Sequence, residues 1–301
     1  PCVPGSIPGG TTPPFIMNPV KSSDGAGFFN TNRSSQKMDS QEIISSLQNA
    51  KIKQVVVLQQ KSAERRQAGL FVVEGQRELE HCMEGGYSID TIYCCAELFA
   101  HDKAGSIPCK ALHYVTRQVY EKIAYRGSTE GIVATVHAKQ ATLNSLRLSD
   151  SPLIMVVESV EKPGNLGAIL RSADASHADA VIVCDPLTDL YNPNLIRSSI
   201  GAVFTVPTIA TTSDEAIRFL KRHGIRILSA QLQDSKPYYD TDMQQPTAIV
   251  MGTESTGLTD QWRQAADRHI RIPMLGRLDS LNVSVSAAIL LFEAVRQRSQ
   301  R

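Results

Sequence analysis

Between residues 152 and 252, five short apolar runs alternate with stretches of helical periodicity. The runs are PLIMVVES (152–159), DAVIVCD (179–185), VFTVP (203–207), IRILSA (225–230) and TAIVMG (247–252). Helical patterns fall near 165–177, 193–200, 213–223 and 259–266, and a long one closes the chain from about 282 to 298. Strands apolar on both faces and joined by helices predict a parallel sheet covered on both sides. In such sheets ligands gather at the carboxyl ends of the strands. The chemistry is therefore expected in the loops after residues 157, 184, 252 and 272.

Upstream, LFVVEG (70–75), IDTIYCC (89–95), HYVT (113–116) and GIVATVHA (131–138) read as strands. QRELEHCMEGG (76–86) reads as a helix stopped by Gly85 and Gly86, and a second helix is expected near 117–123. The stretch from 41 to about 68 is helical in pattern, with VVVL (55–58) between polar flanks. These elements make a smaller α/β domain over 38–145, and ATLNSLRLSDSP (141–152) reads as the linker to a second domain over 150–301. Residues 1–37 are rich in Pro, Gly, Ser, Thr and Asn and cannot bury enough surface to offset their ordering entropy. A disordered tail, or a segment carried over from cloning ahead of Met38, is expected there.

Composition narrows the partners. With a net charge of +1 over 301 residues, any site for a polyanion must be local. The densest basic stripe is Lys51, Lys53, Lys61, Arg65 and Arg66, broken only by Glu64; it reads either as a phosphate footprint or as a solvated helix face. Lys61, Arg65 and Arg66 are the candidate RNA contacts. No apolar run is long enough for a transmembrane helix, and the first residues lack the apolar core of a secretory signal. The six cysteines have no C-x-x-C spacing, so a reduced, cytoplasmic chain with no metal site is expected.

Three segments carry chemistry. EKPGNLGAILRSADAS (161–176) runs from a Pro-Gly turn into a helix whose start offers free N–H groups, with Arg171 standing among small residues. IVMGTESTGL (249–258) ends a strand in a glycine loop. Glu254 occupies the position where a dinucleotide fingerprint needs glycine, which argues against a nicotinamide or flavin site. HIRIPMLGRLDSLNVSVSAAILLFEAV (269–295) closes a strand, turns at Gly276, and offers Ser280 and Asn282 as caps for the last helix, with Met274 and Leu281 as apolar walls.

Taken together, NLGAILRSADA, MGTESTGL and IPMLGRLDSLNVSVSAAI resemble, in order, the three signature motifs of the SpoU/TrmH family of RNA 2′-O-ribose methyltransferases in the SPOUT superfamily. SIGAVFTVP (199–207) resembles the family's intervening segment. FVVEGQRELEHCMEGGYSIDTIYC (71–94) is similar to the ribosomal-protein-like substrate-binding domain that often precedes it. Ser286 departs from the common alanine. The resemblance implies a C-terminal trefoil knot, which periodicity could not have shown, and S-adenosylmethionine as cofactor. It implies a homodimer with the active site at its interface, and RNA as substrate, ribosomal RNA ahead of transfer RNA. By motif match, Gly252, Ile272 and Leu281 would contact the cofactor, with Met274 nearby. Asn165, Arg171, Glu254, Ser280 and Asn282 would form the catalytic constellation.

Arg171 is the family's candidate for activating the hydroxyl, yet a guanidinium stays protonated at neutral pH and is a poor base. Holding the adjacent phosphate and stabilising developing alkoxide charge suits it better. Two other readings stay open on sequence: a non-catalytic RNA-binding or ribosome-assembly protein, and a metabolic α/β enzyme on a nucleotide cofactor. The intact motifs weigh against the first. The poor first βα turn weighs against the second.

Overall fold

The computed structural model describes residues 43–124, 130–253 and 256–299, and the statements below concern those residues. The expected tail over 1–37 lies outside them. In chain order the first elements are α1 (Ala50–Gln60), α2 (Ser62–Ala68), β1 (Leu70–Glu74), α3 (Gln76–Glu84), β2 (Ile89–Cys94), α4 (His101–Ser106), β3 (Ala111–Tyr114), α5 (Arg117–Ile123) and β4 (Ile132–His137). Their sheet has the order β1-β4-β2-β3, with β4 antiparallel to both neighbours and β2 parallel to β3. The helical pattern over 41–68 is two helices, not one. Asn49 caps α1 by accepting from the Lys51 N–H at 2.9 Å, and Lys61 is extended (φ −119°, ψ 113°) between α1 and α2.

The second set comprises β5 (Leu153–Glu158), α6 (Pro163–Ala175), β6 (Ala180–Cys184), α7 (Pro193–Ser198), α8 (Ala202–Thr205), β7 (Thr208–Thr211) and α9 (Ser213–Arg222). After these come β8 (Arg226–Ala230), β9 (Lys236–Pro237), β10 (Thr247–Met251), α10 (Asp260–Ala265), β11 (Arg268–Arg271) and α11 (Val283–Arg298). Their sheet runs β7-β6-β5-β10-β8-β11-β9, and each described pairing is parallel. Alternation along β5 divides the core. Ile154 and Val156 join α9 and α10 around the fully buried Trp262, while Leu153, Met155 and Val157 join α6 and α11. Each such side chain fully buried contributes about 1.5–3 kcal/mol. No helix among the described residues is long and apolar enough to cross a membrane.

VFTVP is a correction. Residues 202–205 form α8, and the strand begins only at Thr208. Gly201 turns the chain in the left-handed region (φ 78°), and Val203 and Phe204 then bury as α8 packs against α3 and α6. Tertiary packing overrides the β preference of the run.

Chain order reverses between β5 and β10: successive strands after β5 step outward one way, and β10 returns to pair with β5 on its other side. That switch point opens a crevice at the carboxyl ends.

Candidate active site

Two irregular loops meet at the crevice. The first follows β10, and its described ends, residues 252–253 and 256–258, lie against each other. Thr253 bridges Gly257, the Gly257 N–H donates to the Thr253 carbonyl at 3.1 Å, and the two hydroxyls of Thr253 and Thr256 lie 2.7 Å apart. Gly257 has φ 68°. Gly252 has no room for a Cβ, which would overlap the Gly257 carbonyl, so this glycine serves the loop's own return. Glu254 lies outside the described residues.

Past the loop, the chain is tied to β5. Glu158, 3% exposed at the end of that strand, accepts from the Thr259 N–H at 2.9 Å and the Thr259 hydroxyl at 2.8 Å. Thr259 precedes α10, so a buried carboxylate fixes the loop's exit and complements the helix start. Ser213 spends its proton on Asp185 (2.6 Å) and accepts from Trp262 Nε1 (2.9 Å). Its 3.3 Å approach to Glu158 therefore adds no further bond.

The second loop, residues 272–282, follows β11. Leu275 and Leu278 are 98% and 80% exposed, and Ser280 donates to Asp279 at 3.2 Å. The loop ends at Asn282, whose Oδ1 accepts from the backbone and hydroxyl of Ser284 at 3.0 and 2.6 Å and caps α11. Its Nδ2 donates to Asn165 Oδ1 at 3.1 Å. Asn165 sits in the first turn of α6, so this pair joins the starts of two helices far apart in sequence.

Between the loops lies a cavity of about 440 Å³, lined by Gly252, Ile272, Met274, Ser280 and Leu281 among others. The volume falls in the small-ligand range of roughly 300–1,000 Å³. Its walls are mixed: Met251, Leu258 and Leu290 are apolar, while Gln231 and Arg263 are polar. Arg263 Nε is buried with no hydrogen-bond partner among the described residues. An unsatisfied buried donor beside apolar walls fits a ligand that is part hydrophobic and part anionic. Among the described residues no group of His, Cys, Asp or Glu is arranged to hold a metal.

All four cofactor candidates and Ser280 thus line one cavity, with the Asn165–Asn282 pair at the start of α11 beside it. Arg171 is absent from that lining. It is exposed on α6, six positions beyond Asn165, hence about 120° round and roughly 9 Å along the helix. Lys61 and Arg66 are exposed on the smaller unit. Arg65 requires correction as an RNA contact: it is 4% exposed, its Nε donates to Asp189 at 2.7 Å, and its Nη1 donates to the Leu58 carbonyl at 2.6 Å. A guanidinium this buried, and held by a carboxylate and a helix C-terminus, presents almost no surface to a phosphate. Gln231 and Arg263 went unnamed in the sequence. β8 lies between β10 and β11, so the loop after Ala230 had to open on the same edge, but strand order is not written in the motifs.

Comparison with known proteins adds independent findings. Residues 152–292 match the SpoU rRNA Methylase family, and residues 49–134 match the MRM3-like substrate binding domain. The 23S rRNA (guanosine-2'-O-)-methyltransferase RlmB of Ralstonia nicotianae is 38% identical over 175 residues, 56% of this chain and 70% of that protein. The 23S rRNA (guanosine(2553)-2'-O)-methyltransferase RlmP of Bacillus subtilis is 27% identical over 250 residues, 83% and 97% of the two chains. Among solved structures, the SpoU methyltransferase AviRb of Streptomyces viridochromogenes, in complex with AdoMet, superposes with a TM-score of 0.78 at 27% identity, covering 83% of this chain and 98% of that one.

Proposed function

The chain belongs to the SpoU rRNA methylase family, and from that membership we propose that it methylates a ribose 2′-hydroxyl of ribosomal RNA with S-adenosylmethionine. One observation carries the reading: Gly252, Ile272, Met274 and Leu281, from loops some twenty residues apart, converge on a single cavity beside the Asn165–Asn282 pair. In this reading residues 38–145 form the substrate-binding domain and 150–301 the methyltransferase domain. The loops after β10 and β11, with α11 returning over β5 and β10, are the segments that would make the knot.

S-adenosylmethionine, when bound, supplies a methyl group activated on a sulfonium. Backbone groups of Gly252, Ile272 and Leu281 would hold it, with Met274 as a wall and Arg263 offering its unused donor. Asn165 and Asn282, each fixed by the other and by the helix they begin, would orient the ribose hydroxyl, with Ser280 and Glu254 shaping the loops around it. Arg171 would hold the neighbouring phosphate and stabilise charge developing on the oxygen. Lys61 and Arg66 would follow the RNA backbone.

A homodimer accords with two features. Val285 and Phe292 are both 47% exposed and, seven residues apart, share one face of α11 as apolar surface that water would otherwise cover. Arg171 lies away from its own chain's cavity, as suits a site completed by a second copy. Substrate class and the free, mostly buried cysteines both suit the reducing cytoplasm.

Calorimetry tests the cofactor reading. S-adenosylmethionine should bind and NAD should not; binding of neither would favour a non-catalytic RNA-binding protein. Sedimentation of Phe292→Glu tests the dimer, which should dissociate.

A further inference from the structure

The smaller unit is seated on one segment of the larger. Arg65 pairs with Asp189, Phe71 stacks on Tyr191 with ring centroids 4.2 Å apart, the Tyr191 hydroxyl accepts from the Lys139 N–H at 3.0 Å, and His81 Nδ1 meets the Ile200 carbonyl at 2.8 Å. A single apolar cluster runs through the seam, from Phe71 and Leu79 to Leu195 and Phe204. The receiving segment is the stretch between β6 and β7.

That same segment also grips the loop that leads into α6. The Thr188 hydroxyl, on a residue 7% exposed, donates to the Glu161 carbonyl at 2.5 Å. Ser198 Oγ lies 3.1 Å from the Pro163 carbonyl, sharing its proton with Leu195. Gly167 packs so tightly on Ser198 that a Cβ would overlap it. The neighbours Thr188 and Asp189 therefore face opposite ways. One holds the loop that delivers Asn165, and the other holds Arg65 of the smaller unit.

We propose that Thr188 and Asp189 form a positioning bridge, through which the docked RNA-binding unit sets the placement of Asn165 beside Asn282. The inference rests on the role given above to Asn165. Thr188 does not line the cavity between the two loops; it acts through the backbone of residues 161–165. Loop placement matters because a misplacement of about 1 Å at a reacting group costs on the order of 10²-fold in rate. Asp189 fixes the frame from which Thr188 reaches, since breaking a buried ion pair strands a charge and the segment shifts to rehydrate it.

The test uses the full chain and single-turnover methylation of ribosomal RNA. Thr188→Val, which keeps shape and removes the donor, should slow methyl transfer about tenfold or more while S-adenosylmethionine affinity by calorimetry stays within twofold. Thr188→Ser, which restores the hydroxyl, should recover most of the rate at an unchanged melting temperature, a rescue that a packing role would not give. In an Asn165→Ala background, Thr188→Val should cost nothing further. A wild-type rate in Thr188→Val, failure of serine to rescue, or a loss that multiplies fully with that of Asn165→Ala would overturn the bridge alone. Full activity in Asn165→Ala itself would instead remove the role of Asn165, and this inference with it.

Discussion

Gly252 and Gly257 lie in such close apposition that any side chain on the first would enter the carbonyl of the second. The motif match implies that Gly252 contacts the cofactor, where a residue without a side chain leaves space. The loop's own closure uses that space first. Gly252→Ala should therefore lower stability by about 1–3 kcal/mol through overpacking and weaken S-adenosylmethionine binding at least tenfold. Gly257→Ala, with open space around it but a left-handed backbone, should cost only about 1–2 kcal/mol. Equal, near-native behaviour of the two variants in melting and calorimetry would contradict this account of the loop.

Glu158 anchors the other end of the same loop. Glu158→Gln replaces one acceptor by a donor that faces the Thr259 donors. A loss of about 1–3 kcal/mol is expected in urea unfolding, the range for a buried group deprived of its partner. A variant as stable as the parent would show that Thr259 finds another acceptor.

Charge at the smaller unit should divide cleanly. Replacing exposed Lys61 and Arg66 together by alanine should flatten the slope of log affinity for RNA against log salt by about 1.4–1.8, if both touch phosphate. Arg65→Ala should leave that slope unchanged and lower the melting temperature, because about 3–5 kcal/mol follows from stranding its partner Asp189. The reverse pattern would put Arg65 back on the RNA.

One pH effect follows from the inter-unit seam. Burial pushes the Glu78 carboxyl above the ordinary value of 4.5, and the nearby Glu130 charge adds to the rise. A carboxyl raised on folding holds its proton more tightly in the native state, so its stabilising contribution is present in acid and is lost as pH rises through the native value. Glu78→Gln should thus melt higher than the parent near pH 7 and lose that advantage toward about pH 4. An advantage that grows on acidification would reverse the assigned sign.

Much of this architecture was legible because both periodicities were strong. The apolar runs at 153–158, 180–184 and 247–251 could only be buried strands, and the cap candidate Asn282 marked a helix start that the structure bears out. VFTVP misled because Val203 and Phe204 are apolar residues that a strand or a helix can bury, and the packing that selects the helix is not written in the run. Arg65 misled for a related reason: charge is visible in a sequence, but its partner, 124 residues away, is not. The cavity residues were named through motif resemblance, since no spacing rule joins residue 252 to residues 272–281. Gln231, Arg263 and Thr188 lie outside those motifs and became visible only with strand order and loop contacts.

The central claim concerns which atom receives the methyl group. Purified full-length chain should be incubated with S-adenosylmethionine and ribosomal RNA lacking the modification, and the RNA digested and analysed by mass spectrometry. A single 2′-O-methylated nucleoside, resistant to alkaline cleavage on its 3′ side and absent when Arg171→Ala is used, is the expected result. Methylation on a base, or no transfer by a chain that binds both S-adenosylmethionine and RNA, would contradict it.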